Sequence, residues 1–141
     1  MPKHEQMIFT LVLVSKPNEI IKVEEFLERI NERLRLGDTR YNKLLVATTE
    51  AVNNGIIHGN QRDPNKKVTL TCEVNNPWLT VHVRDEGGGV DPSTLPNPLA
   101  EENLLREHGR GVFLMRTLMD SVVFERLPGG AEVVMRMNLV S

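Results

Sequence analysis

Three groups of residues in this chain have the types and the spacing to do chemistry. Glu50 and Asn54 stand four apart in a helical run, a carboxylate and an amide on one stripe. At 100° per residue that stripe lies about 150° from the one formed by Leu45, Val52 and Ile56, and Val46, Ala47 and Ile57 flank it. Set among apolar neighbours, such groups cost several kcal/mol when unpaired, so they would meet a ligand, a metal ion or water. The alternative is an amphipathic helix on which both simply face solvent. Asp85 shares the strand parity of Leu79, Val81 and Val83, so its carboxylate points to the apolar side. Gly87, Gly88 and Gly89 follow at once, a stretch without side chains that suits a planar ligand offering a hydrogen-bond donor, or else a flexible turn. Gly109, Arg110 and Gly111 stand before an apolar helical run. Glycines there let backbone N–H groups and the positive helix end approach phosphates, with Arg106 and Arg110 as added cations; an ordinary helix start is the other reading.

The surrounding elements must bring these groups together. Met7 to Val14 is β-branched and apolar and stops at Ser15-Lys-Pro-Asn, which marks a strand. Asn18 is expected to cap a helix whose stripe is Ile20, Val23, Leu27, Ile30 and Leu34; Gly37 should end it. Asp38 is then a good N-cap for a second helix from about Thr39 to His58. Val68, Leu70, Cys72 and Val74 alternate with polar residues, and Leu79, Val81 and Val83 do so after the turn Asn75-Asn-Pro, which indicates an antiparallel hairpin with one buried face. The stretch 85–108 holds three glycines and three prolines and is too long for a mere connector; a short helix around Leu99 to Arg106 is expected within it. A helix from about Gly111 to Met119 follows, then strands Ser121 to Arg126 and Glu132 to Leu139 around Pro128-Gly-Gly. This order predicts an α+β fold: a two-layer sandwich with a mostly antiparallel, mixed sheet and helices on one face.

Composition narrows the classes. A length of 141 residues suggests one domain over 1–141, large enough to hold a core without disulfides or structural metal. Cys72 stands alone, which excludes a disulfide framework and a multi-cysteine zinc site. With 17 basic and 19 acidic side chains and a net charge of −2, the chain does not predict a surface that grips nucleic acid or an anionic membrane. No window approaches the roughly 18 consecutive apolar residues of a membrane span, and no signal peptide is evident, so a cytoplasmic protein is expected. The P-loop, the His-Arg-Asp and Asp-Phe-Gly motifs of protein kinases and the Rossmann glycine pattern are all missing. His58 and His108 are too scattered to read as zinc ligands.

In order, Glu50-x-x-x-Asn54, Asp85-x-Gly87-x-Gly89 and Gly109-x-Gly111 resemble the N, G1 and G2 boxes of the Bergerat-fold, histidine-kinase-like (GHKL) ATP-binding superfamily. More narrowly, Glu50-Ala-Val-Asn-Asn-Gly-Ile-Ile-His-Gly and Val83-Arg-Asp-Glu-Gly-Gly-Gly-Val are similar to the anti-sigma factor serine/threonine kinases, over about residues 7–139. The resemblance implies ATP and Mg²⁺ as cofactors. It makes Glu50 the general base, Asn54 the Mg²⁺ ligand, Asp85 the acceptor for the adenine amino group and Gly87 and Gly89 the approach for base and lid. Gly109, Arg110 and Gly111 would sit at the phosphates. It further implies a homodimer, a STAS-type anti-anti-sigma protein as phosphorylation target, and a sigma factor as second partner. A nucleotide-gated module that sequesters a regulator without phosphotransfer is the alternative. Glu107 and Ala131 depart from the family pattern, which commonly has arginine and threonine there. The loop from Val90 to Arg106 would be a lid over the nucleotide.

Overall fold

A computed structural model of the chain describes residues 6–87 and 109–140. The expected short helix, the lid, Gly89, Arg106, Glu107 and His108 lie outside these residues. Strands β1 (Met7–Val14), β2 (Lys67–Asn75), β3 (Trp78–Asp85), β4 (Ser121–Leu127) and β5 (Gly130–Asn138) form one sheet in the order β1-β2-β3-β5-β4. Every pairing among them is antiparallel, so the mixed sheet expected from sequence has no parallel pair among the described strands. Helices α1 (Ile20–Leu34) and α2 (Asp38–Asn54) and a third helix, α3, described over 109–118, supply the other layer.

Alternation decides which side of the sheet is covered. Val68, Leu70, Cys72 and Val74 of β2 are buried and pair with Leu13, Leu11, Phe9 and Met7 of β1. Leu79, Val81 and Val83 of β3 continue the same face into Met137, Met135 and Val133 of β5. Val23, Leu27 and Ile30 of α1, Leu44, Ala47, Ala51 and Val52 of α2 and Met115 of α3 close over it. Burying a Val, Leu, Ile or Met side chain contributes roughly 1.5–3 kcal/mol, so this shared face holds the layers together. Burial also pushes the Cys72 thiol up to about 12, which keeps it an inert core side chain. Among the described residues no helix is long and apolar enough to cross a membrane.

Several boundaries differ from those expected. Asn18 does not cap α1: Pro17 opens a 3₁₀ turn over Pro17–Glu19, so Asn18 is already inside a turn and Glu19 takes the N-cap position. Gly37 does not end α1 either. Arg35 takes the left-handed conformation (φ 51°), donates its N–H to Asn31 O at 2.7 Å, and the Asn31 side chain accepts the Leu36 N–H at 2.9 Å. Gly37, at φ 83°, is instead the N-cap of α2, and Asp38 is its first helical residue. The core face of α2 runs through Leu44, Ala47, Thr48, Ala51 and Val52, whereas Leu45 is half-buried and Val46 is exposed. At its end α2 widens into a π-helical turn over Gly55–Gly59. The last hairpin is tighter than expected, with Pro128-Gly129 as a two-residue turn, Gly129 at φ 77°, and Gly130 already in β5 opposite Leu127.

Candidate nucleotide site

A cavity of about 320 Å³ opens between the C-terminal half of α2 and the sheet. Asn54, Gly55, His58 and Gly59 form one wall, Val83 and Asp85 the floor, Met115 of α3 one side, and Phe124, Arg126, Ala131 and Val133 of β4 and β5 the other. That volume lies at the low end of small-molecule sites, and its few polar groups among apolar walls match their usual make-up.

Asp85 ends β3 on the covered face, as its parity predicts, and pairs with Ala131 across the ladder. Burial raises its carboxyl above the ordinary aspartate value. Backbone N–H groups of Gly87 and Ala131 and the charge of Lys66 pull partly the other way. The Gly87 N–H donates to Asp85 Oδ1 at 3.0 Å. Main chain closes in on this residue from three directions. A Cβ on Gly59 would overlap the Asp85 carboxylate, one on Gly87 would overlap the Gly59 carbonyl, and one on Gly130 would overlap the Asp85 carbonyl. Glycine is required there for close approach.

The other polar group gathers where α3 meets α2. A Cβ on Gly111 would lie 3.1 Å from Glu50 Oε2, 3.1 Å from Asn54 Nδ2 and 3.5 Å from Asn54 Oδ1. Glu50 and Asn54 are therefore brought together, one turn apart on α2, and Gly111 is set directly against them. Asn54 Nδ2 is buried and has no hydrogen-bond partner among the described residues, a state that costs about 1–3 kcal/mol unless something meets it. Gly109 and Arg110 are exposed at the described start of α3, and none of the described residues would lie within 4 Å of a Cβ on Gly109. The far end of α3 is tied down: Asp120 donates its N–H to Arg136 O at 2.8 Å and accepts the Asn138 N–H at 2.7 Å.

Of the residues singled out from sequence, the structure brings Glu50, Asn54 and Gly111 together and sets Gly87 beside Asp85. Sequence reasoning missed Gly59 and Gly130, which form the cradle of Asp85, and Asn60, buried beside it. The signal for the cradle was present as Gly55 and Gly59, spaced four apart just beyond Asn54.

A family model described as the histidine kinase-like ATPase domain matches residues 13–137. The chain belongs to that family. An anti-sigma F factor of Clostridium beijerinckii is 32% identical over 105 residues, 71% of this chain and 73% of that protein. One from Oceanobacillus iheyensis is 33% identical over 82 residues, 57% of this chain, and the match spans only 56% of the relative's length. A protein of Listeria innocua named serine-protein kinase RsbW is 29% identical over 119 residues, covering 80% of this chain and 76% of that one. Among solved structures, the histidine kinase domain of a blue-light activated histidine kinase from Erythrobacter litoralis superposes with a TM-score of 0.55 at 17% identity. That match covers 85% of this chain and 60% of the other and shows the shared fold.

Proposed function

We propose that the chain binds ATP in this cavity and acts as a regulatory serine/threonine kinase and anti-sigma factor, phosphorylating a STAS-type anti-anti-sigma protein. The observation that carries this reading is that Asn54, which meets Glu50 and Gly111, lines the same cavity as Asp85. Between Glu50 and Gly59 the chain advances nine residues, about 13 Å at helical rise, room for a nucleotide laid along α2. Similarity to anti-sigma F factors and to a serine-protein kinase supports the partner class.

Asp85 accepts a hydrogen bond from the adenine amino group while Val83, Met115 and Val133 wall the base. Gly87 lets the base lie close, and Gly109, Gly111 and Arg110 offer backbone N–H groups and a cation to the phosphates. The amide end of Asn54, unpartnered on its nitrogen, fits a Mg²⁺ site through its oxygen, where the ion would neutralise phosphate charge. Among the described residues no cluster of three His, Cys, Asp or Glu could hold a metal, so further ligands would be phosphate oxygens and water. Glu50 removes the proton from a partner's serine or threonine hydroxyl as that oxygen bonds to the γ-phosphorus. The bond to the β,γ-bridging oxygen breaks, ADP leaves, and the proton passes from Glu50 to water.

Incubation with Mg-ATP and a cognate anti-anti-sigma protein should yield phosphoprotein. Glu50→Gln should slow transfer by roughly 10²- to 10⁴-fold while leaving ATP affinity and Tm near their starting values. Transfer at the unaltered rate by the Gln variant would remove Glu50 from the mechanism. An ATP-dependent complex that never forms phosphoprotein would favour the nucleotide-gated sequestering module instead.

A further inference from the structure

Asn60 is 1% exposed and sits at the centre of a polar cluster that belongs neither to the core nor to the cavity lining. Its Nδ2 donates to Ser15 Oγ at 2.8 Å and to Lys67 O at 3.0 Å, and its Oδ1 accepts the Glu86 N–H at 2.8 Å. Ser15 Oγ in turn donates to Lys66 O at 2.6 Å. The polarity of this arrangement is fixed at both ends. The Lys67 carbonyl can only accept and the Glu86 amide can only donate, so the side chain must offer two protons on one atom and a lone pair on the other. Asparagine meets that demand, and aspartate does not.

The cluster reaches the cavity through the Glu86 amide. Glu86 lies between Asp85 and Gly87; its N–H is held by Asn60, and the next N–H, of Gly87, is held by Asp85 itself. Gly59, immediately before Asn60, packs on the Asp85 carboxylate and on Gly87. The dipeptide Gly59-Asn60 therefore acts as a jig against Asp85-Glu86-Gly87. Two features show that the chain is bent to keep it there. The π-helical turn ends with the Asn60 N–H donating to Gly55 O at 2.8 Å, and Gln61 and Arg62 then both take left-handed conformations, at φ 52° and 59°. Two such non-glycine residues in succession cost roughly 1–2 kcal/mol each, and local strain of this kind persists where surrounding contacts over-determine it, often at a functional site.

We propose that Asn60 is a positioning residue for nucleobase selection: by holding the peptide after Asp85 it sets where the carboxylate stands and hence the preference for adenine over guanine. Adenine presents an amino donor where guanine presents a carbonyl acceptor, so a fixed carboxylate accepts the first and repels the second. A carboxylate free to swing loses that distinction. The proposal rests on the ATP-binding reading above and adds the residue that enforces it.

The test is titration calorimetry of the full chain with Mg-ATP and Mg-GTP, alongside Tm. The starting protein should prefer ATP by more than about tenfold, and Asp85→Asn should abolish the preference. Asn60→Ala should lower Tm, weaken ATP binding about tenfold and cut the ATP-to-GTP ratio to below about threefold. Ser15→Ala breaks the same cluster without touching the Glu86 amide. It should lower Tm as well yet keep the ratio, an outcome a purely structural role for Asn60 does not produce. If Asn60→Ala fails to fold, Asn60→Ser, which leaves room for water, is read in its place with the same expectation. An unchanged ratio in the Asn60 variant, or an equal loss in Ser15→Ala, overturns the assignment while the nucleotide site stands. A starting protein that binds neither nucleotide overturns the ATP reading and this inference with it.

Discussion

Around Asp85, main chain packs on main chain at Gly87 and Gly130; at Gly111, a glycine faces the tips of two side chains. Gly59, Gly87 and Gly130 leave no room for a methyl group around Asp85, and Asn60, beside it, has both ends satisfied. Around Gly111, by contrast, the nearest neighbours are the ends of Glu50 and Asn54, and one amide nitrogen has no partner among the described residues. A tight, satisfied region holds one geometry before any ligand arrives. A loose one with an unmet polar group has its geometry completed by what binds. The first arrangement suits selection of a base, the second a site whose polar groups act on phosphates.

The largest expected effect is at the tight end. In Gly87→Ala the new methyl would collide with the Gly59 carbonyl, which is backbone and cannot move aside cheaply. Overpacking against main chain should cost about 3 kcal/mol, or near 10 °C in Tm for a domain of this size, with ATP binding lost by more than about tenfold. Thermal denaturation and calorimetry would show it. A Tm within about 2 °C of the starting protein would break the contrast drawn above.

Next comes the acid dependence of nucleotide binding, which sharpens the role of Asp85. Its pKa is raised in the folded chain, chiefly by burial, so the ligand-free protein binds that proton more tightly than the unfolded chain does. The increment of stability it brings is present below the ordinary aspartate range and is lost as pH rises through the raised value. On the proposed reading nucleotide binding needs the carboxylate and runs the opposite way, weakening as pH falls through a midpoint above the ordinary aspartate value. Removing the Lys66 charge, which lowers the pKa, should move that midpoint further up in Lys66→Ala. A titration of ATP affinity against pH that looks the same in Asp85→Asn would remove Asp85 from base recognition.

How much of this was legible beforehand follows from how local each cause is. The β2 and β3 faces were legible because burial on one side imposes a period of two on Val68 to Val74 and on Leu79 to Asp85. Glu50 and Asn54 were legible as a pair because one helical turn joins them. Leu45 was misplaced because the buried arc of α2 centres on Ala47 and Ala51, small residues that carry little hydrophobic signal. The cradle around Asp85 depends on the π-helical turn, whose wider winding no 3.6-residue pattern announces. Asn60 was out of reach for another reason. Its partners are Ser15, Lys67 and Glu86, separated from it by 45, 7 and 26 residues, and only the folded sheet assembles them.

Gly111→Ala probes the loose end. Alanine at a helical glycine gains roughly 1 kcal/mol of helix propensity, which offsets the small shift forced on the Glu50 and Asn54 tips 3.1 Å away. Tm should therefore stay level or rise slightly. On the proposed mechanism phosphotransfer to the partner should nonetheless fall at least about tenfold, because Glu50 would take the hydroxyl proton and Asn54 would hold the ion at the phosphates. The same methyl group thus damages stability at Gly87 and chemistry at Gly111. A fall in Tm comparable to that of Gly87→Ala would show that the two ends are built alike.

The smallest effect is expected at Gly109, where an added Cβ would meet nothing within 4 Å among the described residues. Without a ligand, Gly109→Ala should change stability by no more than the helix-propensity gain of about 1 kcal/mol. Any loss of ATP affinity then reports the ligand alone. If phosphates come close to the backbone amides at the start of α3, the methyl group obstructs them and affinity falls about threefold to tenfold; adenosine, which has no phosphates, should bind as before. Equal weakening of ATP and adenosine would place the effect at the base end, and unchanged affinity for both would mean that the phosphates lie deeper, against Gly111, Glu50 and Asn54.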